Sequence, residues 1–244
     1  MGTHVGTKDL DLLLAAAQDL LGNPVEWTRP DRFHDSLALA VIDAIQSTAA
    51  EYGKSVRAVD RYRAYRSAQG QADVVDGTRA LLRTFEEVGG ALTWSGKIGN
   101  YKRSYSDSLS LRANAIQEAA ESLHALRIDS AADLRAVVTD PTRYQAARDA
   151  WMSASAATDE INWTYLLMLV GVSWVQPQSL SSRFVIETLG EDPGIDAVRG
   201  LLSAVADGIA VSLVELEHAI WRWELNLAEP AEIPALRPAI LAAA

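Results

Sequence analysis

The chain has 244 residues, 49% hydrophobic and 22% charged, enough to bury a core as one large or two small domains. Its formal net charge of −10 excludes a general nucleic-acid coat, which needs clustered Lys and Arg against phosphate, and leaves room only for a local basic patch. There are no cysteines, which excludes disulfides, thiolate metal sites and a cysteine nucleophile and leaves the cytoplasm as the expected compartment.

Alanine and leucine dominate, β-branched alternation is nearly absent and apolar residues recur at three- and four-residue steps, so the expected fold class is all-α. The first residues, MGTHVGTKDLDLLL, lack a basic segment followed by a continuous apolar run, and the richest apolar window, Leu201 to Leu216, is interrupted by Asp207 and Glu215. Neither reads as a signal peptide or a membrane span. In chain order, helices are expected near residues 8–21, 31–52, 54–69, 71–88, 107–125, 131–137, 141–156, 159–170, 177–189 and 193–225. Asp140-Pro141, Gln176-Pro177 and Asp192-Pro193 mark three of the starts, and Ser130 with Asp133 forms a capping box for a fourth. Between them lies one long non-helical interval, Val88 to Asp107, VGGALTWSGKIGNYKRSYSD. The segment 228–244, with three prolines and a final alanine run, reads as a flexible tail on a single all-α domain, 1–244, whose core spans about 31–227 and whose helices form two lobes around a cleft.

Three constellations carry chemistry. The helix after Lys54 interleaves Arg57, Arg61 and Arg66 with Tyr62 and Tyr65; it suits phosphate pairing with ring stacking, or equally a solvated face whose tyrosines tuck against the core. The loop GKIGNYKRSYSD surrounds Gly96 and Gly99 with Lys97, Lys102 and Arg103, a composition able to form an anion-accepting nest or a plain surface loop. The histidines His34, His124 and His218 make no metal-binding spacing, so neither a metal nor any other cofactor is expected. His218, in VELEHAIWRWELN, reads as a packed helix residue with Glu215, Glu217 and Glu224 available to orient its ring. No hydrolase elbow and no phosphate-binding glycine loop is present.

The stretch LLMLVGVSWVQPQSLSSRFVIETLG ends an apolar helix at Gly171 and restarts one near Pro177. It resembles the helix-hairpin-helix DNA glycosylase superfamily, an all-α base-excision fold with a Leu-x-x-Leu helix, a Gly-Val-Gly hairpin holding a DNA phosphate, and a later helix ending in Leu-Gly. Gly171, Val172 and Ser173 stand in the hairpin's place, and Arg183, Val185, Leu189 and Gly190 in that of the later helix. DRFHDSLALAVIDAIQST, with Ser47 and Thr48 at its end, resembles the family's early helix, and SLRANAIQEAAESL the helix after the glycine loop. Two departures stand out. The family's catalytic aspartate falls on Gln178, whose amide neither takes a proton nor carries the needed charge, and the catalytic lysine of bifunctional members has no counterpart in WVQP. The family also separates hairpin and aspartate helix by a further helix, whereas only Trp174 to Pro177 intervene here.

The resemblance implies a double-stranded DNA-binding protein with a glycosylase-like fold and without standard glycosylase activity, contacting nucleic acid through Gly171, Val172, Ser173 and Arg183, and the basic loop adds Lys97, Lys102 and Arg103 as further candidate contacts. Two other readings stay open. One is an enzyme acting on a small molecule or modified base in the interlobe cleft, with Asp159, Glu160 or Asp60 as a buried carboxylate and Lys97 or Tyr101 as partners. The other is an interaction module whose Trp221/Trp223 helix makes a homo-oligomer or partner-protein contact. No membrane partner is expected.

Overall fold

A computed structural model describes residues 6–27, 35–47, 52–71, 75–99, 101, 111–154, 160–173, 175–177 and 179–227, without the side chains of 52–57 and 225–227. Twelve α-helices and no strand occur among the described residues, in agreement with the all-α expectation. They divide into two compact units. Unit 1 takes its described residues from Met1–Pro30 and Ser173–Ala244, and unit 2 from Asp31–Val172.

In unit 1, α1 (Thr7–Leu21) packs with α10 (Leu180–Leu189), α11 (Ile195–Gly208) and α12 (Leu213–Leu227). Apolar residues at helical spacing make the shared core: Leu13 and Ala17 of α1 meet Phe184 of α10, Leu202 of α11, and Leu216 and Ile220 of α12. The Arg199 guanidinium donates from Nε and Nη2 to the Val175 carbonyl at 3.2 and 3.1 Å, tying the segment before α10 to α11.

The expected single helix over 193–225 is in fact α11 and α12, which meet at 101°. The break has a local cause. Ala210 adopts φ 58, its N–H bonds to Asp207 O and the Val211 N–H to Ala206 O, so the end of α11 closes on itself. Ser212 then opens α12 with a capping box: its Oγ accepts from Glu215 N at 3.2 Å, and the Glu215 carboxylate accepts from Ser212 N at 2.8 Å.

Unit 2 is built around α2 (Leu37–Gln46), every residue of which is buried. Its neighbours are α3 (Tyr52–Ala68), α4 (Thr78–Val88), α6 (Arg112–Ala125) and α9 (Glu160–Leu169). α5 (Ala91–Lys97) packs on α4 and α6, and α7 (Ala131–Val138) and α8 (Pro141–Ala154) complete the unit. Three expected starts move inward. α2 begins after the Ser36 cap, whose Oγ accepts from Leu39 N at 3.3 Å, and α6 begins after the extended Leu111. α4 begins at Thr78 because Asp129 holds its first turn, accepting from Arg79 N at its carboxylate (2.7 Å) and from Thr78 N at its carbonyl (3.0 Å). Gly77 is required there, since a Cβ would meet Asp129 O at 1.7 Å.

The interval Val88–Asp107, expected to be non-helical, contains α5. Gly89 and Gly90, at φ 89 and 102, end α4 and reverse the chain, and Trp94 then drives a short helix back onto it. Its indole is fully buried, stacks on Phe85 with centroids 4.7 Å apart, and donates from Nε1 to Thr84 Oγ1 at 2.9 Å.

Candidate functional site

The turn that the sequence singles out begins at α9. Leu166, Leu169 and Val170 face inward as expected, each at most 1% exposed. Gly171 follows at φ 81, a left-handed conformation that glycine takes without a Cβ clash. Its N–H donates to Met168 O at 2.9 Å and that of Val172 to Leu167 O at 2.9 Å, the paired pattern that closes a helix C-terminus. Both N–H groups therefore serve α9 itself, and Ser173 is the first residue past the turn whose N–H α9 does not claim.

The chain restarts not at Pro177, as expected, but at Leu180, where the Ser179 side chain supplies the cap that opens α10. Ser179 Oγ accepts from Ser182 N at 3.2 Å, and Ser182 Oγ donates to Gln176 O at 2.5 Å, which pins the segment leading into the helix. The N–H groups of Leu180 and Ser181, in the first turn, have no intrahelical acceptor by helix geometry and lie at the positive end of the dipole. Gln178, which the sequence resemblance sets against a catalytic aspartate, lies outside the described residues.

Arg183, on the next turn of α10, is engaged within the protein. It donates from Nη2 to Glu224 Oε2 at 2.5 Å and from Nε to Oε1 at 3.4 Å, and Glu187 adds a weaker pair at 3.9 Å. The Glu224 side chain is 1% exposed and that of Arg183 50%, so the pair carries a buried carboxylate to the surface. Hydrogen bonding to Glu224 holds the guanidinium pKa above its ordinary value.

Of the basic loop, Lys97 is exposed at the end of α5, whereas Lys102 and Arg103 lie outside the described residues. Beside it Tyr101 is 65% exposed, and its hydroxyl sits where a Cβ on Gly96 would come within 2.3 Å, so Gly96 is what allows the phenol to lie on α5. The structure thus puts Gly171, Val172 and Lys97 in unit 2 and Ser173 and Arg183 in unit 1.

The arginine–tyrosine helix α3 takes the bland alternative at Tyr62 and Arg66. Arg66 grips Asp76 in two-point fashion, Nε to Oδ2 at 2.6 Å and Nη2 to Oδ1 at 3.2 Å, and Tyr62 donates to the same Oδ2 at 2.8 Å. Burial, then Asp76, pushes the Tyr62 phenol well above its usual range. Tyr65 donates to Glu87 Oε2 at 3.0 Å, Arg61 is exposed, and the Arg57 side chain is not among those described.

The carboxylates offered for a catalytic cleft are placed differently from that expectation. Asp60 is exposed, Glu160 is exposed and ion-paired with Arg148, and Asp159 is outside the described residues. Among the described residues of unit 2 the fully buried carboxylate is Asp43, in the middle of α2, which accepts from Ser47 Oγ at 3.0 Å and Tyr165 OH at 3.1 Å. One turn further on, Arg112 Nη1 donates to Gln46 O at 2.5 Å, its pKa lowered by burial. The signal for Asp43 was its position as the one charge in LALAVIDAIQ. On α12, Trp221 is 5% exposed and His218 0%, which puts His218 among the packed residues as read from sequence.

These features define an all-α protein of two helical units, with a glycine-closed helix end and a serine-capped helix start as its most site-like backbone. The chain belongs to a family described as a domain of unknown function (DUF8548), whose model matches residues 11–225. No curated protein and no solved structure matches it.

Proposed function

We propose that the protein binds double-stranded DNA on a glycosylase-like helical framework and does so without standard base-releasing chemistry. The observation that carries this reading is the turn after α9, where Gly171 takes φ 81 in the place of the family's hairpin glycine. The Gly171 and Val172 N–H groups close α9, so the phosphate falls to Ser173 N–H and the start of α10 at the half-buried Leu180, with the helix dipole favouring the anion. Lys97, on unit 2, is an exposed cation for a separate phosphate. An amide at Gln178 supplies neither a general base nor a negative charge for an oxocarbenium-like sugar, which is why recognition rather than cleavage is the proposed outcome.

The test is a titration of the whole chain against a mixed-sequence duplex with and without an abasic-site analogue, at low and moderate salt, with single strand as control. The expected result is salt-dependent duplex binding that favours the abasic site, with a log–log salt slope that Lys97→Gln makes shallower by about 0.9 if that lysine meets one phosphate. Absence of duplex binding at low salt would sink the proposal.

A further inference from the structure

Unit 1 carries a pocket of about 290 Å³ that is partly open to solvent, just under the roughly 300–1,000 Å³ typical of small-molecule sites. Its walls come from the end of α1, from the 3-10 turn Pro24–Glu26 with Trp27 behind it, and from one side of α12, where His218, Ala219, Arg222 and Trp223 line it. Those four positions are one helical turn apart in pairs, so α12 presents them together.

The walls are set before any ligand arrives. Trp27 donates from Nε1 to Leu21 O at 2.8 Å, which seats its indole against the last turn of α1. Trp223 stands edge-on to the buried Phe184, with centroids 5.8 Å apart and planes at 85°. His218, fully buried, lies parallel to Trp221 at 6.1 Å. Side chains already held in one orientation lose little entropy on binding.

The chemistry of the lining selects a class. Two half-buried indoles offer faces and edges to a planar ring, with the fully buried His218 packed behind them. The half-buried Arg222 guanidinium has five donors in a fixed fork, so a partner within the protein still leaves donors for a carboxylate or phosphate. Glu26, exposed at the rim, repels a second anionic group on that side.

We infer that this cavity binds a planar aromatic anion, a system of one or two rings carrying one carboxylate or phosphate, with the ring against Trp27 and Trp223 and the anion on Arg222. The site shares no residue with the proposed DNA contact and stands independently of it.

The test follows the Trp27 indole N–H by NMR while the full chain is titrated with benzoate, indole-3-acetate, adenosine monophosphate and the neutral indole-3-acetamide. A saturable shift at millimolar concentration or below is expected for at least one anion; the two acids against the nucleotide distinguish a carboxylate source from a phosphate one. The acetamide is expected to bind about tenfold more weakly than the acetate, a difference of about 1.4 kcal/mol that Arg222→Gln erases. Ala219→Phe fills the cavity and is expected to abolish the shift; should that variant fail to fold, the Arg222→Gln comparison decides alone. No shift with any anion, or shifts indifferent to Arg222→Gln, would overturn the inference.

Discussion

Arg183 is both the cation that the family likeness points to and the two-point partner of Glu224, whose carboxylate is almost wholly inside. A DNA phosphate that drew Arg183 away would weaken the partnership of a buried charge, so its main role here is to stabilise unit 1. Arg183→Met is expected to cost about 2–3 kcal/mol in urea unfolding, less than the roughly 3–5 kcal/mol of a fully buried pair because half of the guanidinium remains in water. Replacing both partners by methionine is expected to recover most of that loss; equal costs for the single and double variants would show that Glu224 does not depend on Arg183. Asp133 gives a pH handle. Burial raises its pKa, but hydrogen bonds from Ser130 Oγ, Ser130 N and Asp129 N outweigh that and hold it below its ordinary 3.8. A carboxylate depressed in the folded state contributes stability above its unfolded pKa and loses it as pH falls through the folded one. Stability is therefore expected to be insensitive to this group at neutral pH and to fall below about pH 4, with Asp133→Asn costing about 1 kcal/mol at pH 7 and flattening the acid decline. An acid limb unchanged in Asp133→Asn would remove the capping box from its causes.

Helix identity was legible wherever apolar spacing and a cap agreed: Ser130 and Asp133 open α7 as expected, and Leu166, Leu169 and Val170 line α9. What escaped were breaks and insertions decided by tertiary contacts and turns rather than by apolar periodicity. α4 starts late because Asp129, some fifty residues on, caps it, and α5 exists because Trp94 can stack on Phe85 once two glycines reverse the chain. The α11–α12 break did have a local sign, the S-x-x-E pattern of Ser212 and Glu215, masked by an apolar run whose periodicity continues through it. Its sharpest residue is Ala210, which holds φ 58 without being glycine. Left-handed backbone costs a residue with a Cβ about 1–2 kcal/mol, and glycine gives back about 0.5–1 kcal/mol through unfolded-state entropy. Ala210→Gly is thus expected to stabilise the protein by about 0.5–1 kcal/mol in thermal or urea unfolding. A loss instead would mean that the Ala210 methyl makes contacts worth more than the strain it costs.

At the scale of the whole chain, 32 acidic against 22 basic residues mean that any DNA contact has to be local and has to work against the general field. Backbone N–H groups suit that requirement because they attract a phosphate through fixed dipoles without adding side-chain charge. The same logic bears on Gln178. A carboxylate there would add one more negative charge close to the α10 start, tolerable to the helix dipole but repulsive to a phosphate; an amide removes that repulsion together with the chemistry. Gln178→Asp is therefore expected to weaken duplex binding while, if the family register is right, restoring slow base release from a damaged duplex, read as alkali-labile strand breaks. Release without weakened binding would move the phosphate away from the α10 start, and weakened binding without release would keep the phosphate there and shift the register of the aspartate helix. Neither effect in a folded variant would detach position 178 from DNA altogether, and the turn at Gly171 would then be a helix terminus serving unit 2 alone.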